Sequence, residues 1–298
     1  MISIIIPTRN RDKELVRAIQ SAISQTGGLS LEVIVVDDSS SFDVKTYLGN
    51  ALSSQCLSFI KVIRNEKCVG ASASRNIGAY EARGKYLSFL DSDDFWCSNK
   101  LQKQIAKFIA EPELDVVYCD QFILNNGVLH ESKKILIQDD IMDHLLAGWT
   151  APNTSTLVIR KESFVRLGGF DVELQASEDH ELWFRIAHHN LNVSFVNEPL
   201  SYFCQDSSVR LSYDLQKRVL GVIRFTERCS KYVSGENYKR FKRNNFFKVI
   251  YPIFVNRLKQ KEFASAFYIF ARYLVISKKF YNHMFWAVYQ RLFTMNQV

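Results

Sequence analysis

The chain has 298 residues, 47% of them hydrophobic and 23% charged. Those are the proportions of an ordinary globular protein and exclude a disordered or low-complexity chain. The net charge of +7 is uneven, because the segment from Lys231 onward carries 13 Lys and Arg against 2 Asp and Glu, with 18 of the 39 aromatic residues. No uninterrupted apolar run reaches the roughly 20 residues of a membrane span; the longest candidate, Phe263 to Ile276, is broken by Arg272.

In chain order, Ile2–Ile6 is a β-branched run ending at Pro7 and predicts a buried strand. Asp12 is placed to cap a helix with Leu15, Ile19, Ala22 and Ile23 on one face, ended by Gly27-Gly28. Val33–Val36 is a second apolar strand, running into Asp37-Asp38-Ser39-Ser40-Ser41, and a helix follows toward Leu52. Phe59–Ile63 is a third strand. Ala71–Ala82 reads as a helix ended by Gly84, and Tyr86–Leu90 as a fourth strand. Ser98 caps a helix carrying Leu101, Ile105, Phe108 and Ile109, and Val116–Cys119 is a fifth strand.

After Asn125 the pattern is irregular. Thr156–Ile159 reads as a strand, Glu162–Leu167 as a short helix closed by Gly168-Gly169, and Ser177 as the cap of a helix with Leu182, Trp183 and Ile186. Val193–Val196 and Tyr202–Cys204 read as two short strands. From Ser212 the chain is helical, with Pro252 kinking or breaking one helix.

Apolar strands alternating with helices imply a mostly parallel α/β sheet covered on both faces. Three strands end in polar loops: Thr8-Arg9-Asn10, Asp37-Asp38 and Asp91-Ser92-Asp93-Asp94. In open α/β sheets ligands bind outside the carboxyl ends of strands, so these loops predict one site on one edge.

Within that edge, Asp91-x-Asp93 is the strongest signal. Two carboxylates two apart can share one hard cation such as Mg²⁺ or Mn²⁺. A turn or cap accounts for one Asp; three in four positions repel one another unless a cation sits among them. That predicts a strained or mobile loop without its cation and ligand, with Asp94 as a turn or capping residue. Asp37-Asp38 suits either a base or ribose contact or a turn. Glu178-Asp179 suits a general base or simply the helix dipole. Arg9, Arg64 and Arg75 lie near the same edge, where Arg pairs with phosphates and stacks on bases, or serves as a solvated charge.

The six cysteines are scattered with no CxxC pair, which suits reduced thiols in a cytosol. The chain opens directly on an apolar strand, with no basic stretch or cleavage site, so no signal peptide is expected. The basic aromatic tail suits a membrane surface, a partner helix or a charged outer face; nucleic acid is not expected.

Taken together, SIIIPTRNR (Ser3–Arg11), EVIVVDDSS (Glu32–Ser40), GASASRNIGAYEARGKYLSFLDSDD (Gly70–Asp94), GGFD (Gly168–Asp171) and SEDHELWFRI (Ser177–Ile186) resemble the family 2 glycosyltransferases. The resemblance implies a GT-A fold over residues 1–210, a mostly parallel sheet flanked by helices, followed by a basic, aromatic-rich helical region over 211–298. It implies transfer of a sugar, with inversion, from a nucleotide-diphosphate donor (UDP the expected nucleotide) to an acceptor hydroxyl. It also implies Mn²⁺ or Mg²⁺ as cofactor. Carried over by position, Pro7, Thr8 and Arg9 wall the nucleotide pocket, Asp38 contacts the base and Arg75 the diphosphate. Asp93 holds the metal and Asp91 contacts the donor sugar or the metal's waters. Asp179 is the catalytic base, with Glu178 beside it. Position 9 is often aromatic in the family, and His180 has no implied role beyond a donor-selecting one.

The setting this implies is surface polysaccharide synthesis (O-antigen, capsule or lipopolysaccharide) on a lipid-linked acceptor. The enzyme would be cytoplasmic, with peripheral contact to the inner face of the plasma membrane through the C-terminal region. The alternatives are a non-catalytic nucleotide-sugar-binding subunit of a synthase complex, and a nucleotidyltransferase. The latter predicts a Gly-rich phosphate loop after the first strand, which PTRNRDKE lacks.

Overall fold

The computed structural model describes residues 1–131, 141–147, 151–174, 176–205, 215–245, 251–260, 262 and 268. Strand β1 (Ile2–Thr8) is followed by α1 (Lys13–Ile23), β2 (Leu31–Asp37), α2 (Val44–Ala51), α3 (Ser54–Leu57), β3 (Ile60–Arg64), α4 (Ala71–Glu81), β4 (Tyr86–Phe89), β5 (Phe95–Trp96) and α5 (Lys100–Ala110). Then come β6 (Val116–Asn125), β7 (Val128–Glu131), α6 (Ile141–Leu146), a 3-10 turn at Thr154–Thr156, β8 (Val158–Arg160), α7 (Lys161–Leu167), α8 (Glu178–His188) and β9 (Val193–Cys204). Helices α9 (Leu215–Cys229), α10 (Gly235–Asn245) and α11 (Tyr251–Lys259) follow.

One sheet runs through the molecule in the order β3-β2-β1-β4-β8-β6-β9-β5, with β7 paired to β6. β3, β2, β1 and β4 are parallel, and β1 is buried at every position. Its alternating side chains feed two cores. Ile4 and Ile6 join Leu15, Ile19, Leu48, Leu101 and Phe108 of α1, α2 and α5. Ile5 joins Phe89, Phe164, Phe170, Leu182 and Trp183 on the other face. Burying each such side chain stabilises the fold by about 1.5–3 kcal/mol, which fixes the sheet that carries the three polar loops.

The second half is mixed. β8 is antiparallel to both β4 and β6, and β5 is antiparallel to β9, whereas β6 and β9 are parallel. The two short strands expected at 193–204 form one strand, with its register slipping opposite Asp120 near Pro199. Pro has no N–H for the ladder, so a bulge accommodates it. The expected strand at Thr156 begins as a 3-10 turn, is extended from Leu157 and pairs as a strand from Val158. The β6–β7 hairpin turns on Asn126-Gly127, both with positive φ (48° and 73°), the backbone that Asn-Gly favours in a two-residue turn.

Asp12 caps α1 as expected, accepting from Lys13 N. Ser98 does not cap α5; Asn99 occupies that place, without a side-chain cap bond. Ser177 precedes α8 in the left-handed conformation (φ 66°) and makes no side-chain cap either. Pro252 lies in α11 (Tyr251–Lys259); the residues just before this helix, on which the expected kink or break depends, lie outside the described ones.

The first C-terminal helices pack into the same core. Phe225 and Cys229 of α9, Val233, and Phe241 of α10 are all buried there. Tyr232 Oη also donates to Glu181 Oε1 at 3.0 Å. Most of the basic aromatic tail lies outside the described residues. Among those described, no helix is long and apolar enough to cross a membrane.

Candidate active site

The carboxyl ends of β1, β2 and β4 are neighbours, so the three polar loops meet. Asp38 N donates to Thr8 O at 2.8 Å. Asn10 N donates to Ser40 Oγ at 2.9 Å, and Ser41 N to Asn10 Oδ1 at 2.7 Å. Among the described residues, three of the five non-glycine residues with positive φ, Asn10, Ser39 and Ser177, border this edge. Such conformations cost of order 1–3 kcal/mol each and gather at functional sites.

Asp37 and Asp38 divide their work. Asp37 is structural: its Oδ1 accepts from Ser40 N at 2.9 Å, and its Oδ2 pairs with Arg64 at 2.5 Å. Arg64 also donates to Ser40 O and Phe42 O, so it fastens the loop. Asp38 turns the other way. Its Oδ1 accepts from Val69 N (2.8 Å) and Asn65 Nδ2 (3.0 Å), and its Oδ2 from Gly70 N (2.9 Å) and the Cys68 thiol (3.2 Å). Gly70 takes φ 92° to present its N–H, a conformation suited to glycine. Burial pushes the Asp38 carboxyl up, but these donors more than offset it and hold it below its usual value.

The walls expected of the nucleotide pocket lie beside Asp38. Pro7 and Thr8 are buried, with the Thr8 hydroxyl lacking a hydrogen-bond partner among the described residues. Arg9 is exposed and reaches Cys68 Sγ at 3.0 Å. Cys68 and Asn65 therefore stand with Asp38, and Cys68 also with Arg9. Neither residue carries a signal in the sequence, because these contacts depend on a loop folding back onto β2.

The DSDD loop is ordered by separate partners for each carboxylate. Asp91 Oδ1 pairs with Arg75 at 2.5 Å. Asp93 Oδ2 lies 3.4 Å from Arg11, and Arg17 donates to the Asp93 carbonyl at 2.6 Å. Asp94 is fully buried, accepting from Ser155 Oγ (2.8 Å) and Cys204 N (3.0 Å). Burial, with Asp93 and Asp91 nearby, pushes the Asp94 carboxyl well above its usual range. The expected repulsion is felt at Asp94, and the loop meets it without a cation among its described partners: Arg11, just before α1, and Arg75 of α4 face two of the charges, and burial removes the third from the surface. Asp94 is more than a turn residue; it ties the loop to β9 and the 3-10 turn. Of those two arginines, Arg11 sits in the TRNR stretch, and sequence alone gave no reason to prefer it over Arg9.

Arg75 is the hub. It is 4% exposed and carries a second ion pair, to Glu178 Oε1 at 2.8 Å, with Phe170 of the GGFD stretch under its guanidinium at 5.3 Å. Three of the five sequence stretches that carry the family resemblance, 70–94, 168–171 and 177–186, converge here. Helix α4 reaches this depth because Gly78 lies against β1: a Cβ there would sit 2.5 Å from Ile5 Cγ2.

Glu178 and Asp179 open α8 with opposite environments. Burial pushes Glu178 up, against the pull of Arg75. Burial also pushes Asp179 up, but His180 more than offsets this and holds it below its usual value. Asp179 Oδ1 accepts from both His180 N (2.8 Å) and His180 Nδ1 (2.9 Å). Adjacent carboxylates with proton affinities pushed apart can take different roles, and Asp179 is the one kept ionised. The helix beneath is fixed by a buried Glu181–Arg185 pair at 2.6 Å.

Comparison with known proteins gives the same picture. A family model described as "Glycosyltransferase like family 2" matches residues 3–275. An uncharacterized glycosyltransferase of Haemophilus influenzae is 30% identical over 86% of this chain and 85% of its own length. The UDP-Glc:alpha-D-GlcNAc-diphosphoundecaprenol beta-1,3-glucosyltransferase WfgD of Escherichia coli is 30% identical over 71% of this chain and 78% of its own. Among solved structures, S. aureus TarS 1–349 in complex with UDP-GlcNAc superposes with a TM-score of 0.72, covering 92% of this chain and 81% of that one at 19% identity. A longer TarS chain is covered to 43% of its length. The fold is the expected GT-A fold, and with a family match across most of its length this chain belongs to the family 2-like glycosyltransferases.

Proposed function

We propose that the protein is an inverting, metal-dependent glycosyltransferase that moves a sugar from a nucleotide-diphosphate donor to an acceptor hydroxyl. UDP is the expected nucleotide and a lipid-linked glycan the expected acceptor, in surface polysaccharide synthesis at the inner face of the plasma membrane. The observation that carries it is Arg75, which holds the DSDD loop and the Glu178-Asp179 pair in one site. WfgD, whose name records a UDP-sugar donor and a lipid-diphosphate acceptor, and the UDP-GlcNAc complex of TarS support the substrate class.

Asp93 fits a shared cation site. Its carboxylate is 18% exposed, and its Arg11 contact is long. No three His, Cys, Asp or Glu side chains gather as a cage among the described residues. Mg²⁺ is often held by one or two carboxylates plus substrate phosphates. Asp93 would hold Mn²⁺ or Mg²⁺, with Asp91 toward the donor sugar or the ion's waters, and the bound cation would neutralise charge on the leaving diphosphate.

The chain's own residues do the rest. Pro7, Thr8, Arg9 and Asp38 receive the nucleotide, and Arg75 adds positive charge near the diphosphate. Asp179 accepts the acceptor's proton as its oxygen attacks the anomeric carbon in line, so configuration inverts in one step. The C-terminal region gives the peripheral membrane contact.

The test is release of UDP from UDP-glucose and from UDP-GlcNAc, with and without Mn²⁺, using a synthetic GlcNAc-α-diphosphate lipid as acceptor. Product configuration is read by NMR. Acceptor-dependent UDP release that Asp179→Asn abolishes is expected; a retained anomeric configuration or an unaffected Asp179→Asn variant sinks the proposal.

A further inference from the structure

We propose that His180 is a positioning residue for the base: it clamps Asp179 and ties the proton-accepting carboxylate to the C-terminal helices. The inference rests on Asp179 being the base. Two donors from one residue, His180 N and Nδ1, converge on Asp179 Oδ1. Oδ2 has no hydrogen-bond partner among the described residues, so that oxygen is the one left to take the acceptor's proton.

Behind the ring stands Phe225 of α9, edge-on at 5.9 Å and 65°. Phe225 packs on Phe184 of α8 (5.6 Å) and on Phe241 of α10 (5.6 Å). The imidazole is therefore held between the carboxylate and an aromatic cluster built from three helices. An imidazole that donates from Nδ1 can do so neutral or charged, so the clamp survives titration while its charge does not.

The charged groups around the ring are few. On its own helix stand Asp179 and Glu178, and Glu178 is itself paired with Arg75 of α4. From α9 the contact is the uncharged ring of Phe225; Arg224 and Arg228 on that helix are engaged by Asp171 and Glu173 instead. Burial pulls the imidazole's proton affinity down, but Asp179 and Glu178 more than offset it, leaving it raised.

The proton balance follows. The acceptor O–H proton passes to Asp179 Oδ2 as the new C–O bond forms. The sugar–phosphate bond breaks with its electron pair going to the diphosphate, and Asp179 later returns the proton to solvent. While His180 is charged, Asp179 is a weak base. As pH rises through the His180 transition, the base strengthens and turnover rises.

The experiment compares wild type with His180→Phe, His180→Asn and Asp179→Asn. Phe keeps the packing against Phe225 and loses the hydrogen bond. Asn places an amide N–H where Nδ1 stood but cannot carry charge. UDP release from UDP-glucose with the synthetic acceptor is followed from pH 5.5 to 9, and the histidine rings by ¹⁵N NMR.

Losing a hydrogen bond to a charged partner predicts a fall in kcat of about tenfold to a hundredfold for His180→Phe, with KM for UDP-glucose changed less than about threefold. His180→Asn recovers most of kcat but lacks the rising limb above the ordinary histidine range of about 6.5. NMR of the wild type shows His180 as the Nδ1–H form, titrating higher than in Asp179→Asn.

Wild-type kcat and pH profile in His180→Phe overturn the proposal, as do equal losses in the Phe and Asn variants. Should His180→Phe fail to fold, the NMR comparison decides: a His180 transition that Asp179→Asn leaves unmoved also overturns it. An active Asp179→Asn variant removes the base assignment itself, a separate failure.

Discussion

Replacing Arg75 with Met probes the link that holds the site together. Arg75 is 4% exposed and bonds Asp91 at 2.5 Å and Glu178 at 2.8 Å. Met fills most of the volume but leaves two carboxylates without their cation, on side chains 28% and 17% exposed. Removing one partner of a buried ion pair costs about 3–5 kcal/mol. Asp91 can turn toward water, which favours the lower end, while loss of the Phe170 contact adds about 0.5–1 kcal/mol. The expected destabilisation is about 3–4 kcal/mol, or roughly 6–16 °C in Tm at about 2–4 °C per kcal/mol.

The pH dependence follows from Glu178. Its folded proton affinity is already raised by burial, and loss of Arg75 raises it further. A carboxyl whose folded value exceeds its unfolded value of about 4.3 destabilises the fold when ionised and ceases to do so as pH falls. The gap between variant and wild type is therefore largest near pH 7–8 and narrows toward pH 5. Adding Glu178→Gln to the variant recovers about half the loss. Urea unfolding at pH 5, 6 and 7.5 measures all of this. A variant within about 1 kcal/mol of wild type, or a gap that ignores pH, refutes the reasoning.

Three further outcomes are expected. Asp93→Ala keeps the fold, since its carboxylate is partly exposed and its Arg11 contact is long, but loses Mn²⁺-dependent stabilisation by UDP in thermal shift along with sugar transfer; undiminished transfer rules out its metal role. Asp38→Asn sets an amide against the N–H groups of Val69 and Gly70 and costs about 1.5–3 kcal/mol. Because the Asp38 proton affinity is lowered in the fold, that loss is full above about pH 4 and shrinks as pH falls through the folded value; urea midpoints across pH measure it. Gly78→Ala drives a methyl into Ile5, 2.5 Å away, and Val36, 3.2 Å away. It costs about 1–3 kcal/mol by overpacking, and an unchanged Tm contradicts the close approach of α4.

How much was legible beforehand varies by element. The parallel half of the sheet was, because β1, β2 and β4 are largely apolar runs buried on both faces, with β3 half-buried at the sheet edge. The mixed half was not. Asn126-Gly127 is a strong hairpin signal, yet the strand after it, Val128–Glu131, is exposed throughout and carries no apolar period. Pro199 made one strand look like two. Ser98 and Ser177 looked like caps by residue type, but capping depends on backbone angles, and Ser177 takes a left-handed one.

By itself, then, the sequence determined the family, the sheet edge and the carboxylates on it, because motif order and strand-end chemistry are local properties of the chain. Only the tertiary structure decided what each charge does. Asp37 and Asp38 are adjacent, yet one fastens a loop to Arg64 and the other gathers the 65–70 segment. Asp91, Asp93 and Asp94 share one loop and face Arg75, Arg11 and the core. Glu178 and Asp179 face Arg75 and His180. Apart from His180, the neighbour of Asp179, the partners that set these roles lie 16 to 110 residues away, and electrostatic environment is a property of position in space, which spacing along a chain does not encode.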